Sequence, residues 1–181
     1  GSGMRFSRTV SQAESEAALQ TLGSINVSYS EGREQLIVHH LRLLRGTETI
    51  DLLAGGEKFR QFRTEQMAQQ GMLFGTVSAN FLVPGLRVGD KIDVAVSRRS
   101  INPFMGDNYE DFADFGRGVR ADRIHMRLTW HKRRTVKWYS GQKLARLDLS
   151  KSGEFNIAEG AIDNVRIEPM GFRAPTRLLR E

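Results

Sequence analysis

FLVPGLRVGDKIDVAV, residues 81–96, is the stretch whose reading decides the fold. Val83-Pro84-Gly85-Leu86 sets proline before glycine in the order a type II turn needs. Proline presets φ at about −65°, and glycine takes the positive φ that follows. Gly89-Asp90 bends the chain a second time. Ile92, Val94 and Val96 then alternate with Lys91, Asp93, Ala95 and Ser97, the period of a strand. The stretch therefore reads as strand, double turn, strand. Backbone geometry accounts for each special residue in it, and nothing in it demands a ligand.

The same period recurs on both sides. Upstream, Ile25, Val27 and Tyr29 alternate with polar residues, and Glu31-Gly32 turns the chain into LIVHHLRLLR, residues 36–45. If that run is a strand, Ile37, His39, Leu41 and Leu43 face one way and Leu36, Val38, His40, Arg42 and Leu44 the other. Both faces are largely apolar, as in a central strand, and a buried helix is the competing reading. Residues 11–22 predict a short helix with Ser11 as cap, stopped by Gly23. Thr49 to Leu53 predicts a short strand ended by Gly55-Gly56. Residues 57–70 fit a strand followed by a helical turn, or a helix throughout. Downstream, Ile124, Met126, Leu128 and Trp130 share one side of a strand, and shorter segments follow around Val136, Leu144 to Leu149 and Val165. Short strands parted by Gly-containing turns predict a mostly β chain: β-sandwich-like antiparallel sheets with one or two short helices.

Length and composition set the outer limits. The chain has 181 residues, enough for a single cored domain. Gly1-Ser2-Gly3 reads as a cloning remnant, leaving residues 4–181 as a single β-rich domain cut from a longer protein. There is no cysteine, which excludes disulfides, thiolate metal sites and a cysteine nucleophile. No apolar run approaches the roughly 18 residues of a membrane-spanning helix. The net charge of +6 permits an anionic partner, but arginine is spread along the whole chain.

Catalytic motifs are sparse. His39 and His40, as neighbours on a strand, would point to opposite faces and could not share an ion. His125 and His131 are about 20 Å apart on a straight strand. Asp107, Glu110, Asp111 and Asp114 form a local acidic cluster without EF-hand spacing, interrupted by Phe112 and Phe115. Neither a nucleotide-binding loop nor a G-x-S-x-G elbow occurs. The densest basic region runs from Arg117 to Lys137, with Trp130 inside it and Trp138 and Tyr139 directly after it. Arg133, Arg134 and Trp138 are its candidate binding residues, since cations interleaved with aromatics can grip a single strand of nucleic acid. Strand alternation gives the other account: apolar side chains inward, basic ones in water, and residues 132–134 at a hairpin tip.

Three blocks together carry a family resemblance. LIVHHLRLLRGTETIDLL resembles an early strand pair in which Leu-x-His precedes a turn, here Arg45-Gly46 without the usual Asp. FLVPGLRVGDKIDVAVSRRSINPFMGDNYEDF supplies Arg87, Gly89 and Asp90 for an Arg-x-Gly-Asp motif and Asn102-Pro103 for an Asn-Pro motif. VRIEPMGFRAPTRLL resembles a closing Glu- and Pro-containing segment. In this order the blocks resemble domain of unknown function 3857, found before transglutaminase-like domains in bacterial proteins. The resemblance implies a non-catalytic accessory domain that positions a Cys-His-Asp domain of the same chain, or its substrate. It also implies a bacterial periplasmic or cell-surface location and a peptide or protein as the further ligand; no cofactor or metal is expected from the residues themselves. Pro84, Gly85, Gly89, Asp90, Asn102 and Pro103 are then structural turn residues. The alternative is a basic β-domain that binds an anionic polymer, either nucleic acid or acidic polysaccharide.

Overall fold

The computed structural model describes residues 2–64, 75–101, 120–137 and 147–166. Its contacts divide the chain into two compact units, residues 1–110 and 111–181. Every strand pair among the described residues is antiparallel. The architecture is mostly β, with one short helix among the described residues. No described helix is long and apolar enough to cross a membrane.

The first unit holds β1 (Ser2–Gln12), α1 (Glu16–Leu22), β2 (Ser24–Ser30), β3 (Glu34–Arg45), β4 (Glu48–Asp51), β5 (Arg60–Thr64), β6 (Thr76–Leu82) and β7 (Lys91–Ile101). They form two sheets, ordered β1-β7-β3-β4 and β2-β6-β5. Leu41, Leu43 and Ile92 from the first sheet meet Phe81 from the second, with Leu52 and Val83 completing the buried cluster and Ile25, Ile50 and Phe59 packed around it. Each sheet has one apolar face, and the two faces bury each other. Fully burying one such side chain is worth about 1.5–3 kcal/mol. Residues 81–96 join the layers: β6 leaves the smaller sheet, and the double turn delivers the chain to β7, the buried strand between β1 and β3.

Two expectations are corrected at the start of the chain. Residues 4–12 are strand, and Ser11 belongs to β1, where it pairs with Ile92. The helix starts only at Glu16, and the cap is Ser15, whose hydroxyl accepts from Ala18 N at 3.3 Å. The reason is tertiary. Ala13 is fully buried and exchanges hydrogen bonds with the Gly89-Asp90 turn (Ala13 N to Asp90 O at 2.9 Å, Gly89 N to Ala13 O at 2.8 Å), so the chain stays extended until it has passed β7.

The open reading of residues 57–70 resolves in part: residues 60–64 are strand β5, and Thr64 pairs with Thr76. Residues 65–74 lie outside the described residues. The second unit holds β8 (Ala121–His131), β9 (Asp148–Ser152) and β10 (Phe155–Val165) in one sheet ordered β8-β10-β9. The strand expected around Val136 is absent at Val136 and Lys137, and the strand expected from Val165 is there the last residue of β10, whose residues 155–164 carried no strand expectation. FNIAEGAIDNV alternates poorly, because its Ile157-Ala158 pair is buried on both faces in the middle of the sheet.

Candidate functional site

Two polar constellations occupy the first unit, and each is assembled by a backbone irregularity. The first is the double turn. Gly85 and Gly89 have φ of 63° and 93°, conformations that L side chains rarely adopt. Asp90, buried at 3% exposure, accepts from Arg45 Nε at 3.0 Å, from Arg45 Nη2 at 2.7 Å and from Arg87 N at 2.8 Å. Arg45 Nη2 also donates to Gly85 O at 2.8 Å. One guanidinium thus ties the end of β3 to both bends. The Arg45 hydrogen bonds hold the Asp90 carboxyl below the usual carboxylate range, against burial, which pushes the other way.

The second constellation lies on the outer face of the four-stranded sheet. Val38 pairs with Val96 and His40 with Ala95, so His39 is an extra residue and β3 carries a bulge there. The bulge corrects the expected facing of this strand. Leu36, Val38, Leu41 and Leu43 fall on the core side, and both histidines reach the outer side. His39 Nε2 lies 2.7 Å from Ser97 Oγ, and His40 Nε2 lies 3.0 Å from Asp93 Oδ1. Arg8 of β1 closes a bidentate pair on the same Asp93, Nε to Oδ1 at 2.9 Å and Nη2 to Oδ2 at 2.8 Å. Phe6 packs its ring against that of His39, with centroids 5.5 Å apart. The Arg8 hydrogen bonds first, and His40 after them, hold Asp93 at about 2 although burial opposes them. Asp93 is therefore a permanent anion at neutral pH, with its oxygens committed to Arg8 and His40.

The Ser97–His39 contact has the length of a nucleophile–base pair. Its setting is wrong for attack. Ser97 is 2% exposed, in the middle of a strand paired on both sides, so its neighbouring N–H groups serve the two ladders and cannot form an oxyanion hole. Among the described residues no group of three or more His, Asp or Glu side chains is placed to hold a metal ion. Between the two sheets a cleft of about 290 Å³ has Leu36, Val38, Phe59 and Ala79 among its walls and Tyr29 and Glu34 among its polar groups. Glu34 already accepts from Ser30 N at 2.8 Å.

In the second unit, β8 places Ile124, Met126, Leu128 and Trp130 on one face and Arg123, His125, Arg127 and His131 on the other. The basic face meets acids: Arg123 pairs with Asp163 at 3.2 Å, His125 with Glu159 at 2.8 Å, and Lys132 with Glu154 at 2.5 Å. Arg133 and Arg134 sit exposed in the turn after β8. Trp138, Asn102, Pro103 and the acidic cluster at 107–114 lie outside the described residues.

The family model described as a Domain of Unknown Function with solved-structure structure (DUF3857) matches residues 1–165. The chain belongs to the DUF3857 family. No curated protein matches the sequence. Among solved structures, its fold is similar to that of a protein described as a "putative protease" from Parabacteroides distasonis ATCC 8503, with a TM-score of 0.77, 11% identity and coverage of 98% of this chain. The match takes up 35% of that protein, so this DUF3857 chain spans about a third of its length. At 11% identity the likeness is one of fold.

The outer-face network escaped the sequence reading. Its signal was present: Asp93 stands inside the buried run Ile92 to Val96, and a buried carboxylate needs cationic or hydrogen-bonding partners. Naming Arg8 and His40 as those partners required the register of three strands.

Proposed function

We propose that this DUF3857 chain is a non-catalytic accessory domain of a longer, exported bacterial protein. It precedes a transglutaminase-like domain there, and it positions that domain or its substrate. The observation that carries the reading is the commitment of the first unit's polar groups to architecture. Asp90 and Asp93 are strongly paired anions, and Ser97 lies under a two-sided ladder. Such groups fix a surface and have no freedom to exchange protons with a substrate at neutral pH. Support for a place in a larger protein comes from the family and from the similar structure, in which this fold is matched over 35% of the chain.

Two measurements test the proposal. The purified chain, incubated with casein and with a fluorescent amine donor, is expected to release no peptides and to incorporate no amine. Turnover that survives purification and is lost on Ser97→Ala would refute the non-catalytic reading. The domain that follows this one in the gene, expressed separately, is expected to co-elute with it. If that region holds no Cys-His-Asp fold, or shows no affinity for this chain, the positioning role falls.

A further inference from the structure

Edge strands invite pairing, and proteins protect them by shortness, by charge, by bulges or by covering groups. The edges of this chain differ in that respect. β4 has four residues and β5 and β9 have five each. β2 has a carbonyl, Ser28 O, that accepts from Arg98 Nε at 3.0 Å. β8 is long but bears the ion-paired ladder of Arg123 and His125. β1 is neither short nor bulged, and its charges, Arg5 and Arg8, are its one protection of these kinds among the described residues. Past the Ser2-Gly3 remnant it runs from Met4 to Gln12, contains no proline, and pairs one-to-one with β7 from Met4↔Arg99 to Gln12↔Lys91 without a register shift. No strand among the described residues pairs with its outer edge.

Its side chains add a second observation. Met4, Phe6 and Val10 alternate on one face and are 64%, 60% and 50% exposed, a row of large apolar groups left in water at the rim of a sheet. Arg8 lies in the same row; it is held upright by the buried Asp93, and its side chain remains 54% exposed. Arg99, paired with Met4, adds a second exposed cation on that face. An added strand would meet apolar, apolar, cationic and apolar positions in turn, at Met4, Phe6, Arg8 and Val10.

We propose that the outer edge of β1 binds an extended acidic peptide segment as a further antiparallel strand. The segment carries apolar side chains opposite Met4, Phe6 and Val10 and a carboxylate opposite Arg8. Main-chain pairing supplies the affinity, and the Arg8 contact sets the register, because a slip by one residue turns the apolar row away from Phe6. This site goes beyond the accessory reading and stands whether or not a transglutaminase-like domain follows.

The probe is an end-capped, fluorescein-labelled peptide that alternates valine with threonine and places glutamate opposite Arg8. Anisotropy titration of the whole chain is expected to give saturable binding. Val10→Lys, which sets a charge in the exposed row, is expected to weaken it about tenfold, as is lysine for glutamate in the peptide. A permuted peptide of the same composition is expected not to bind. Hydrogen exchange of the unmodified protein gives the readout that does not depend on a variant: every second amide between Met4 and Gln12 gains protection when the peptide is present. Absence of binding, or binding that leaves those amides unchanged, overturns the proposal. So does sedimentation showing that the chain alone dimerises through β1, since the occupant is then a second copy.

Discussion

Replacing Asp90 with alanine tests whether the double turn is held by its carboxylate. The side chain accepts two bonds from Arg45 and one from Arg87 N, all between 2.7 and 3.0 Å, at a site 3% exposed. Its removal strips out the charge-assisted bonds and leaves a turn N–H without its acceptor. Losses of that kind run to about 3–5 kcal/mol for a buried pair. Arg45 keeps 29% of its side chain in water and rehydrates, which sets the expectation at the lower end, about 3 kcal/mol. With a urea slope of about 2 kcal/mol per molar, the midpoint followed by far-UV circular dichroism falls by about 1.5 M at unchanged slope. Arg45→Met is the sharper partner experiment. It leaves Asp90 buried with one backbone donor, so at neutral pH it is expected to destabilise more than Asp90→Ala. In the native chain the Asp90 pKa is depressed, so its contribution is present above the ordinary carboxylate pKa and is lost as pH falls. In Arg45→Met the buried carboxyl prefers its proton, so that variant gains on the native chain as pH falls through the carboxylate range. A midpoint for Asp90→Ala within about 0.3 M of the native value, or a gap for Arg45→Met that does not narrow in acid, would refute the reasoning.

Asp93 gives the acid limb of stability. Its carboxyl titrates at about 2 in the folded chain against about 3.9 unfolded, so its contribution is complete above that unfolded value and drains away as pH falls towards 2. Asp93→Asn is expected to lower stability at neutral pH and to flatten that limb, read from denaturation midpoints across the range. Deleting His39 removes the extra residue of the bulge and leaves Leu41 and Leu43 on the core face. The chain is expected to stay folded by circular dichroism, whereas deletion of Arg42 turns Leu43 out of the core and unfolds it. Oligonucleotide titrations at two salt concentrations are expected to show affinity no tighter than about 10⁻⁴ M at physiological salt, because the cations of β8 face acids on β10. Tight, salt-sensitive binding lost in Arg133→Ala/Arg134→Ala would restore the anionic-polymer reading.

The fold was legible where local pattern and tertiary demand agree. Residues 81–96 carry proline, glycine and alternation at the right offsets, and the turn they imply is the one the structure contains. Gly46 and Gly153, at φ of 57° each, likewise open the two-residue hairpin loops that join β3 to β4 and β9 to β10. The helix predicted over residues 11–22 is longer than the observed one because Gln12, Ala13 and Glu14 favour helix locally and tertiary contacts override that preference. Pairing with β7 decides Ser11 and Gln12, and β7 lies some 80 positions along the chain. The bulge at His39 left no local trace either. A strand with two apolar faces fits either register, and only the partner strand shows where the extra residue goes. The candidate site depended on that same missing fact, since the facing of both histidines follows from the bulge.

The bulge and the double turn have one consequence in common. Each sets a carboxylate with its arginine at a place where the ladder alone would not hold the backbone. In the first case Asp93 and Arg8 pin β1 to the bulged centre of the sheet, and in the second Asp90 and Arg45 pin the crossover between layers. A rigid β1 is what an edge needs in order to be read by another strand, because an incoming chain then meets its donors and acceptors already in line and does not have to order them. The charge that stiffens the edge from beneath, Arg8, is also the one exposed on its apolar row. Arg8→Met should therefore separate the two roles: the apolar row is lengthened while the anchor to Asp93 is lost. Peptide affinity that rises in this variant would mean that hydrophobic area governs the edge. Affinity that falls, together with faster amide exchange along β1, would mean that the pinned geometry and the cation do.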